Sequence, residues 1–343
     1  DKGELLAAAS TLGIPHPTGY PTSMLLGYLF TIILPFRDVV ALNIMSAILT
    51  AASAGALTLL LDNLFGRLAP APASVKRGGR TKGAKGKGGV KGKSAEGPGP
   101  SNEPDGPTRT LLAGGGALGI AFTAIWWGQG NGFEVYSLHA LLLPLIVLTF
   151  LRFVDAGMQT EAKLMTRQGN LFAFLVGLSF TNHLTTVLLA PGLLLYYVAA
   201  TPKGKSNWWF KRLIALAPAF LVGLLPYLWL PIRASAHPWF NWGNPATLDA
   251  LIKHISGKQY QVWFGKWEVF GDQTSFFFGG LPMQVGIIGL LLAIGGLVLL
   301  IARNGRLAAT LIVLIVTCII WSGSYDIQEI APYYMTAILG IGL

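Results

Sequence analysis

Two carboxylates open the chain three residues apart, in Asp1-Lys2-Gly3-Glu4, and a histidine and a tyrosine follow in Pro15-His16-Pro17-Thr18-Gly19-Tyr20-Pro21. Residues three apart share a helix face. Asp1 and Glu4 therefore read either as an acid pair able to take a proton from a hydroxyl or as an acidic helix start, which the helix dipole favours. The prolines and glycine around His16 and Tyr20 mark a rigid turn, which could bring a polar group back towards those carboxylates. Further candidates follow along the chain. Glu134 and Tyr136, with His139, stand where an apolar stretch begins, and Asn182-His183 interrupts another. An ionisable residue at membrane depth is a functional candidate, although a histidine satisfied within its own turn would look the same. Arg233 follows an apolar stretch directly. There a guanidinium can clamp a phosphate with two hydrogen bonds or simply snorkel. Trp242 is one of four tryptophans, with Trp239, Trp263 and Trp267, between 232 and 281; they suit a platform for a sugar or lipid headgroup as well as an interfacial belt. Tyr325, Asp326, Glu329, Tyr333 and Tyr334 come from the last polar stretch.

The elements that must position these residues are membrane helices. The 343 residues are 52% hydrophobic and 12% charged, with a mean hydropathy of +0.56. A soluble globular protein has about a quarter of its residues charged, so that class is excluded, as is disorder of the whole chain. The single cysteine, Cys318, allows no intramolecular disulfide. Apolar stretches able to cross ~30 Å of hydrocarbon fall near 39–61, 111–127, 135–153, 170–182 continuing into 184–200, 213–231, 282–302, 307–321 and 331–343. They predict about nine spans in an all-α, polytopic transmembrane helical bundle. The run 170–200 is too long for one span and is expected to break at Asn182-His183. The segment 22–36, bracketed by Pro21 and Pro35, is too short to cross and reads as a helix in the interface or packed on the protein. The chain opens on Asp1 and ends inside an apolar run, so both ends are expected to be cut.

The formal net charge of +10 would ordinarily raise nucleic acid as a partner, but its distribution follows the spans. With 22–36 not crossing, 19 of the 25 Lys and Arg fall on one face, in 62–110, 152–169, 201–212 and 303–306, against six of the 15 acids. The positive-inside rule makes that face cytoplasmic. The candidate residues lie on the other, slightly acidic face. The division is 1–65, a first outer loop with one span; 66–109; and 110–343, the remaining bundle with a large outer loop at 232–281. Residues 66–109 hold eleven glycines and no aromatic residue and read as a disordered, basic cytoplasmic loop. Such a loop could bind nucleic acid or anionic lipid headgroups, but without aromatics to stack bases it reads as a solvated insertion that fixes topology. Membrane lipids are expected partners of the spans, and nucleic acid is not. Walker A, Rossmann, zinc-ligand and Gly-x-Ser-x-Gly signatures are missing.

Asp1-x-Gly3-Glu4-Leu5 followed by Leu12-Gly13-Ile14-x-His16-Pro17-x-Gly19-Tyr20-Pro21 resembles the opening of the protein O-mannosyltransferase-like glycosyltransferases of the GT-C superfamily. The likeness continues through Glu134-Val135-Tyr136, Thr181-Asn182-His183, Pro231-Ile232-Arg233 and Trp242-Gly243. It implies a GT-C-type bundle with juxtamembrane helices in the first outer loop, which suits 22–36, and a span preceding Asp1. It also implies an essential acid in that loop and a polyprenyl- or dolichyl-phosphate sugar as donor. On this resemblance the expected activity is inverting transfer of a hexose, mannose first, to a hydroxyl of a protein or glycan on the non-cytoplasmic side. Asp1 is the first candidate base and Glu4 the second. Arg233 or His183 would stabilise the leaving phosphate, and His16, Tyr20, Glu134, Tyr136, Asn182 and Trp242 would line the substrate. No cofactor is demanded, although the outer carboxylates leave room for a divalent metal. The compartment would be the plasma membrane in a bacterium or the endoplasmic reticulum in a eukaryote. The competing expectation is a transporter or lipid-handling membrane protein, which should bury charges at mid-span in paired repeats.

Overall fold

A computed structural model describes residues 2–68, 106–158, 162–201 and 206–343. Asp1 and positions 69–105 of the basic loop lie outside the described residues; helices run up to Leu68 and resume at Gly106 on its two sides. Among the described residues the regular elements are helical, as the apolar runs predict. They are α1 Lys2–Thr11, α2 Pro21–Ile33, α3 Asp38–Leu68, α4 Gly106–Ala121, α5 Ala124–Trp127, α6 Tyr136–Met158, α7 Ala162–Phe180 and α8 Ala190–Ala200. There follow α9 Ser206–Ala215, α10 Ala217–Gly223, α11 Trp229–Ser235, α12 Leu248–Ile255, α13 Phe270–Arg303, α14 Gly305–Gly323 and α15 Met335–Gly342. One isolated parallel bridge joins Ile14 to Asn241.

The helices α3, α6 and α14, and the continuous segment Trp267–Arg303 that contains α13, are long and apolar enough to cross a membrane. Two bent pairs add up to two more spans: Gly106–Ala121 with Ala124–Gly130, bent by 74°, and Phe210–Gly223 with Leu225–Ser235, bent by 41°. Four to six such spans among the described residues is fewer than the nine expected. The reason is local. The run 170–200 does break at Asn182-His183, but α7 starts at Ala162 and carries Lys163 and Arg167, while Leu184–Ala200 is a shorter apolar helix. The stretches 111–127 and 213–231 are the two bent pairs. The 13 residues of α2 reach only about 20 Å at 1.5 Å per residue, short of the hydrocarbon core, in line with a helix that does not cross.

α3 is the organising element. Leu42, Met45, Leu49, Ser53, Leu57, Leu60 and Leu64 recur every three or four residues along one buried stripe, which packs against α4 and α6. α6 is buried almost all round, as a central helix must be. Between α7 and α10 the backbones meet: a Cβ on Gly177 would stand 2.3 Å from the Phe220 carbonyl oxygen, and one on Gly223 would stand 2.3 Å from that of Phe174. Only glycine permits that approach. The apolar window of α13 is 6% buried, so it faces outwards nearly all round.

The two ends of the bundle differ in chemistry. At one end Arg67, from the last turn of α3, donates to Asp155 of α6 through Nη1 at 2.8 Å and through Nη2, and to the Tyr196 hydroxyl of α8 at 3.3 Å. At the other, the N-terminus of α6 carries Tyr136 beside the turn at 181–183. The 19 residues from Tyr136 to Asp155 separate the ends by about 28 Å.

Candidate active site

The acidic helix start and the proline-rich turn fold onto each other. His16 donates its backbone N–H to Glu4 Oε1 at 2.7 Å, and its Nδ1 lies 3.0 Å from the same oxygen. The Tyr20 hydroxyl stands 2.9 Å from His16 Nε2 and 3.1 Å from the Pro17 carbonyl oxygen. A carboxylate can only accept, so Nδ1 carries a proton and Glu4, His16 and Tyr20 form one hydrogen-bonded chain. Burial works to raise the pKa of Glu4. The side-chain and backbone hydrogen bonds from His16, with its charge, outweigh burial and hold the carboxyl below its ordinary 4.5. Burial also pushes the Tyr20 phenol well above its ordinary range, so it acts as a neutral hydroxyl.

The turn holds this chain by unusual backbone. Gly19 has φ +82°, and a Cβ there would lie 2.9 Å from both His254 Nε2 and Leu230 Cδ2. Tyr20 itself is left-handed, with φ 42° and ψ 46°, a conformation costing a non-glycine residue roughly 1–2 kcal/mol. Its two hydroxyl contacts offset that cost. His254 is buried beneath the turn, and burial lowers its pKa to about 4. The 232–281 loop is tied to the residues just before this turn: Ile14 N–H donates to Phe240 O at 2.7 Å and Trp242 N–H to Ile14 O at 2.9 Å.

Beside the turn lies a cavity of about 290 Å³, at the lower end of the range for small-molecule sites. Five of the residues given a catalytic or substrate role from the sequence line it: His16, Tyr20, Glu134, Tyr136 and His183. Glu134 is buried, which raises its pKa; Lys2 works against that shift and Glu329 adds to it. Glu4 reaches the cavity through His16. Asn182 lies behind the wall with both amide ends engaged: Oδ1 accepts from the Ser23 hydroxyl and Nδ2 donates to Val135 O at 3.0 Å. It pins α2, the backbone at Val135 and the 181–183 turn together, without lining the cavity. Trp242 is half-exposed, donates to Gln259 Oε1 at 3.3 Å and meets His16 edge-on at 6.3 Å. Arg233 does not line the cavity either. Its Nε donates to Leu12 O at 2.6 Å and its Nη2 to Thr11 O at 3.1 Å, so it caps the C-terminal carbonyls of α1.

Much of the remaining wall comes from the chain's second half. Tyr260, Phe264, Trp321, Tyr325, Glu329 and Tyr333 complete the cavity. Two backbone hydrogen bonds, Lys266 N–H to Ser324 O at 2.9 Å and Asp326 N–H to Trp263 O at 3.0 Å, stitch the loop after α12 to the one after α14. Phe264 and Tyr325 stack at 4.2 Å. Tyr325, Glu329 and Tyr333 were visible as polar residues near a span end. Tyr260 carries no motif, and only the folding back of its loop brings it to the site. Among the described residues, no three or more His, Cys, Asp or Glu side chains converge as a metal site.

The family model described as the protein O-mannosyl-transferase TMEM260 N-terminal domain matches residues 1–206. That range contains both opening motifs and the 181–183 turn. The chain belongs to this family. A mouse protein named protein O-mannosyl-transferase TMEM260 is 28% identical over 263 residues, covering 76% of this chain and 31% of the mouse protein. A Dictyostelium discoideum protein of the same name is 24% identical over 328 residues, 89% of this chain and 34% of its own. The chain thus spans about a third of the length of these relatives. No solved structure shows a significant match. Family membership and the apolar helices together make this part of a multi-pass membrane protein.

Proposed function

We propose that the protein transfers mannose from a polyprenyl- or dolichyl-phosphate donor to a serine or threonine hydroxyl, on the non-cytoplasmic side of its membrane. The observation that carries this reading is the convergence of the opening motif on the cavity: His16 and Tyr20, held by Glu4, share its wall with Glu134 and His183. The relatives' name, protein O-mannosyl-transferase, supports the sugar and the acceptor class. The basic end of the bundle lies about 28 Å away, which supports the sidedness through the positive-inside rule.

A hydroxyl is a poor nucleophile near neutral pH, so a carboxylate must take its proton as the new bond forms. Glu4 is a weak candidate, because two hydrogen bonds on one oxygen stabilise its ionised form. The base we assign is Asp1, the first candidate on the family resemblance, which precedes α1 in the sequence and lies outside the described residues. The acceptor oxygen attacks the anomeric carbon and the bond from that carbon to the phosphate oxygen breaks. The electron pair leaves with the phosphate, the acceptor proton passes to Asp1, and the configuration inverts. The aromatic rings of the cavity suit the apolar faces of a pyranose, and Glu134 and Glu329 suit its hydroxyls. No step calls for a metal.

The test uses the full-length protein in membranes with an acceptor peptide and a panel of lipid-phosphate and nucleotide sugars. Mannose from the lipid phosphate should reach the peptide, with transfer surviving chelation of divalent cations and lost in Asp1→Asn. Wild-type transfer by Asp1→Asn would end the proposal, as would strict use of a nucleotide sugar.

A further inference from the structure

His183 lines the cavity with its ring held on three sides, by Tyr20 stacked at 6.2 Å, Tyr136 at 4.8 Å and Tyr333 at 5.5 Å. Its Nδ1 is turned into the protein. That atom accepts the backbone N–H of Thr185 at 3.4 Å and lies 2.6 Å from Thr185 Oγ1. Thr185 Oγ1 in turn lies 3.2 Å from Nε2 of His139, in the first turn of α6. His139 is 1% exposed, and its remaining ring nitrogen, Nδ1, is buried without a hydrogen-bond partner.

These contacts fix the direction of the chain. A backbone N–H aimed at His183 Nδ1 requires a lone pair there, so the Thr185 hydroxyl must donate to that atom as well. Thr185 Oγ1 is then an acceptor, and His139 Nε2 must carry the proton it accepts. The unpartnered Nδ1 of His139 is left as a lone pair. The reverse direction would set two protons against each other at His183 Nδ1 and would bury an orphan N–H on His139, and orphaned N–H groups are rarer than under-satisfied acceptors. His183 is thereby a neutral imidazole with its proton on Nε2, and this N–H is the polar group its ring offers the cavity.

We propose that Thr185 and His139 are positioning residues that lock His183 as a neutral N–H donor, which binds an oxygen of the donor's sugar phosphate. The ligand rests on the reading of the cavity as the donor site; the locked tautomer does not. Two sources of that oxygen share the chemistry, a phosphate oxygen and a sugar hydroxyl.

The test is made on the full-length protein in lipid nanodiscs. With ¹⁵N-labelled histidine and no sugar present, the His183 signals, identified by their loss in His183→Phe, should show a protonated Nε2 and a bare Nδ1; the opposite tautomer overturns the lock. In mannosyl transfer from dolichyl-phosphate mannose, Thr185→Val, which removes the hydroxyl but keeps the shape, should lower kcat/KM about tenfold or more. Thr185→Ser should stay within about twofold of wild type. A wild-type rate in Thr185→Val, or a Thr185→Ser as impaired as Thr185→Val, overturns the positioning role. If binding of sugar-free dolichyl phosphate also weakens in His183→Phe, the oxygen belongs to the phosphate; if only the mannosylated lipid weakens, it belongs to the sugar. Unweakened binding of both overturns the ligand. A wild-type protein that transfers no mannose yet shows the expected tautomer would overturn the proposed function and ligand while leaving the lock in place.

Discussion

Glu4 and Glu134 are buried to different effect, and each predicts its own pH behaviour. Glu4 is held below its ordinary pKa because the hydrogen bonds and charge of His16 outweigh burial. A depressed carboxylate contributes stability that is present above its unfolded value of 4.5 and is lost as pH falls through the folded value. Glu4→Gln is therefore expected to unfold at a lower temperature than wild type near neutral pH, with the gap closing on acidification below 4.5; a gap independent of pH would remove the charge from the account. Glu134 has the opposite sign. Its pKa is raised by burial, with Glu329 adding and Lys2 opposing. The unfolded chain releases this proton first, so stability is lost as pH rises from 4.5 through the folded value. Glu134→Gln is expected to raise the unfolding temperature at neutral pH while raising KM for the donor, a trade common where function holds a carboxylate in a buried site. A lowered unfolding temperature would contradict the sign.

The site depends on short connecting elements as much as on long helices. The left-handed Gly19 packs on His254 with no room for a side chain, so Gly19→Ala is expected to cost about 1–2 kcal/mol or more in stability and to lower transfer, read by unfolding in detergent and by activity. Arg233 decides between two uses of a guanidinium after a span. Its contacts with the Thr11 and Leu12 carbonyls make it a helix cap, so Arg233→Ala should lower stability by about 1 kcal/mol. An unchanged unfolding temperature with only a raised donor KM would restore the phosphate clamp expected from its place in the sequence. The helices themselves were largely legible: the apolar run that becomes α3, the short α2 and the break at Asn182-His183 all follow from apolar length and interruption. The 74° bend between α4 and α5 was not, because Ala121-Phe122-Thr123 is as apolar as its neighbours and the bend is set by what the second half packs against. There Trp126 Nε1 donates to Ser53 Oγ of α3 at 2.9 Å, and Ile125 N–H to Gln284 of α13 at 2.9 Å.

At the scale of the molecule, an ion pair and the proposed site stand at opposite ends of the same helices. The Arg67–Asp155 pair, with Tyr196, joins α3, α6 and α8 about 28 Å from Tyr136. Asp155→Ala leaves Arg67 without its carboxylate and is expected to cost about 2 kcal/mol of stability. Its effect on KM for the donor should be slight, and a large rise would mean that the two ends are coupled. The sequence by itself determined the membrane class, the helical runs and the opening motif. Each is carried by composition, by short-range periodicity or by residues within about twenty positions of one another. It also singled out His16, Tyr20, Glu134, Tyr136 and His183, which meet at one cavity. Only the tertiary structure decided that Arg233 caps α1, that Asn182 pins three segments, and that Tyr260 and the 325–333 loop close the cavity. Those outcomes rest on contacts between positions up to more than two hundred residues apart, such as Arg233 with Leu12. A polar side chain takes whichever partner the packed backbone brings within 3 Å, and no local pattern encodes that choice.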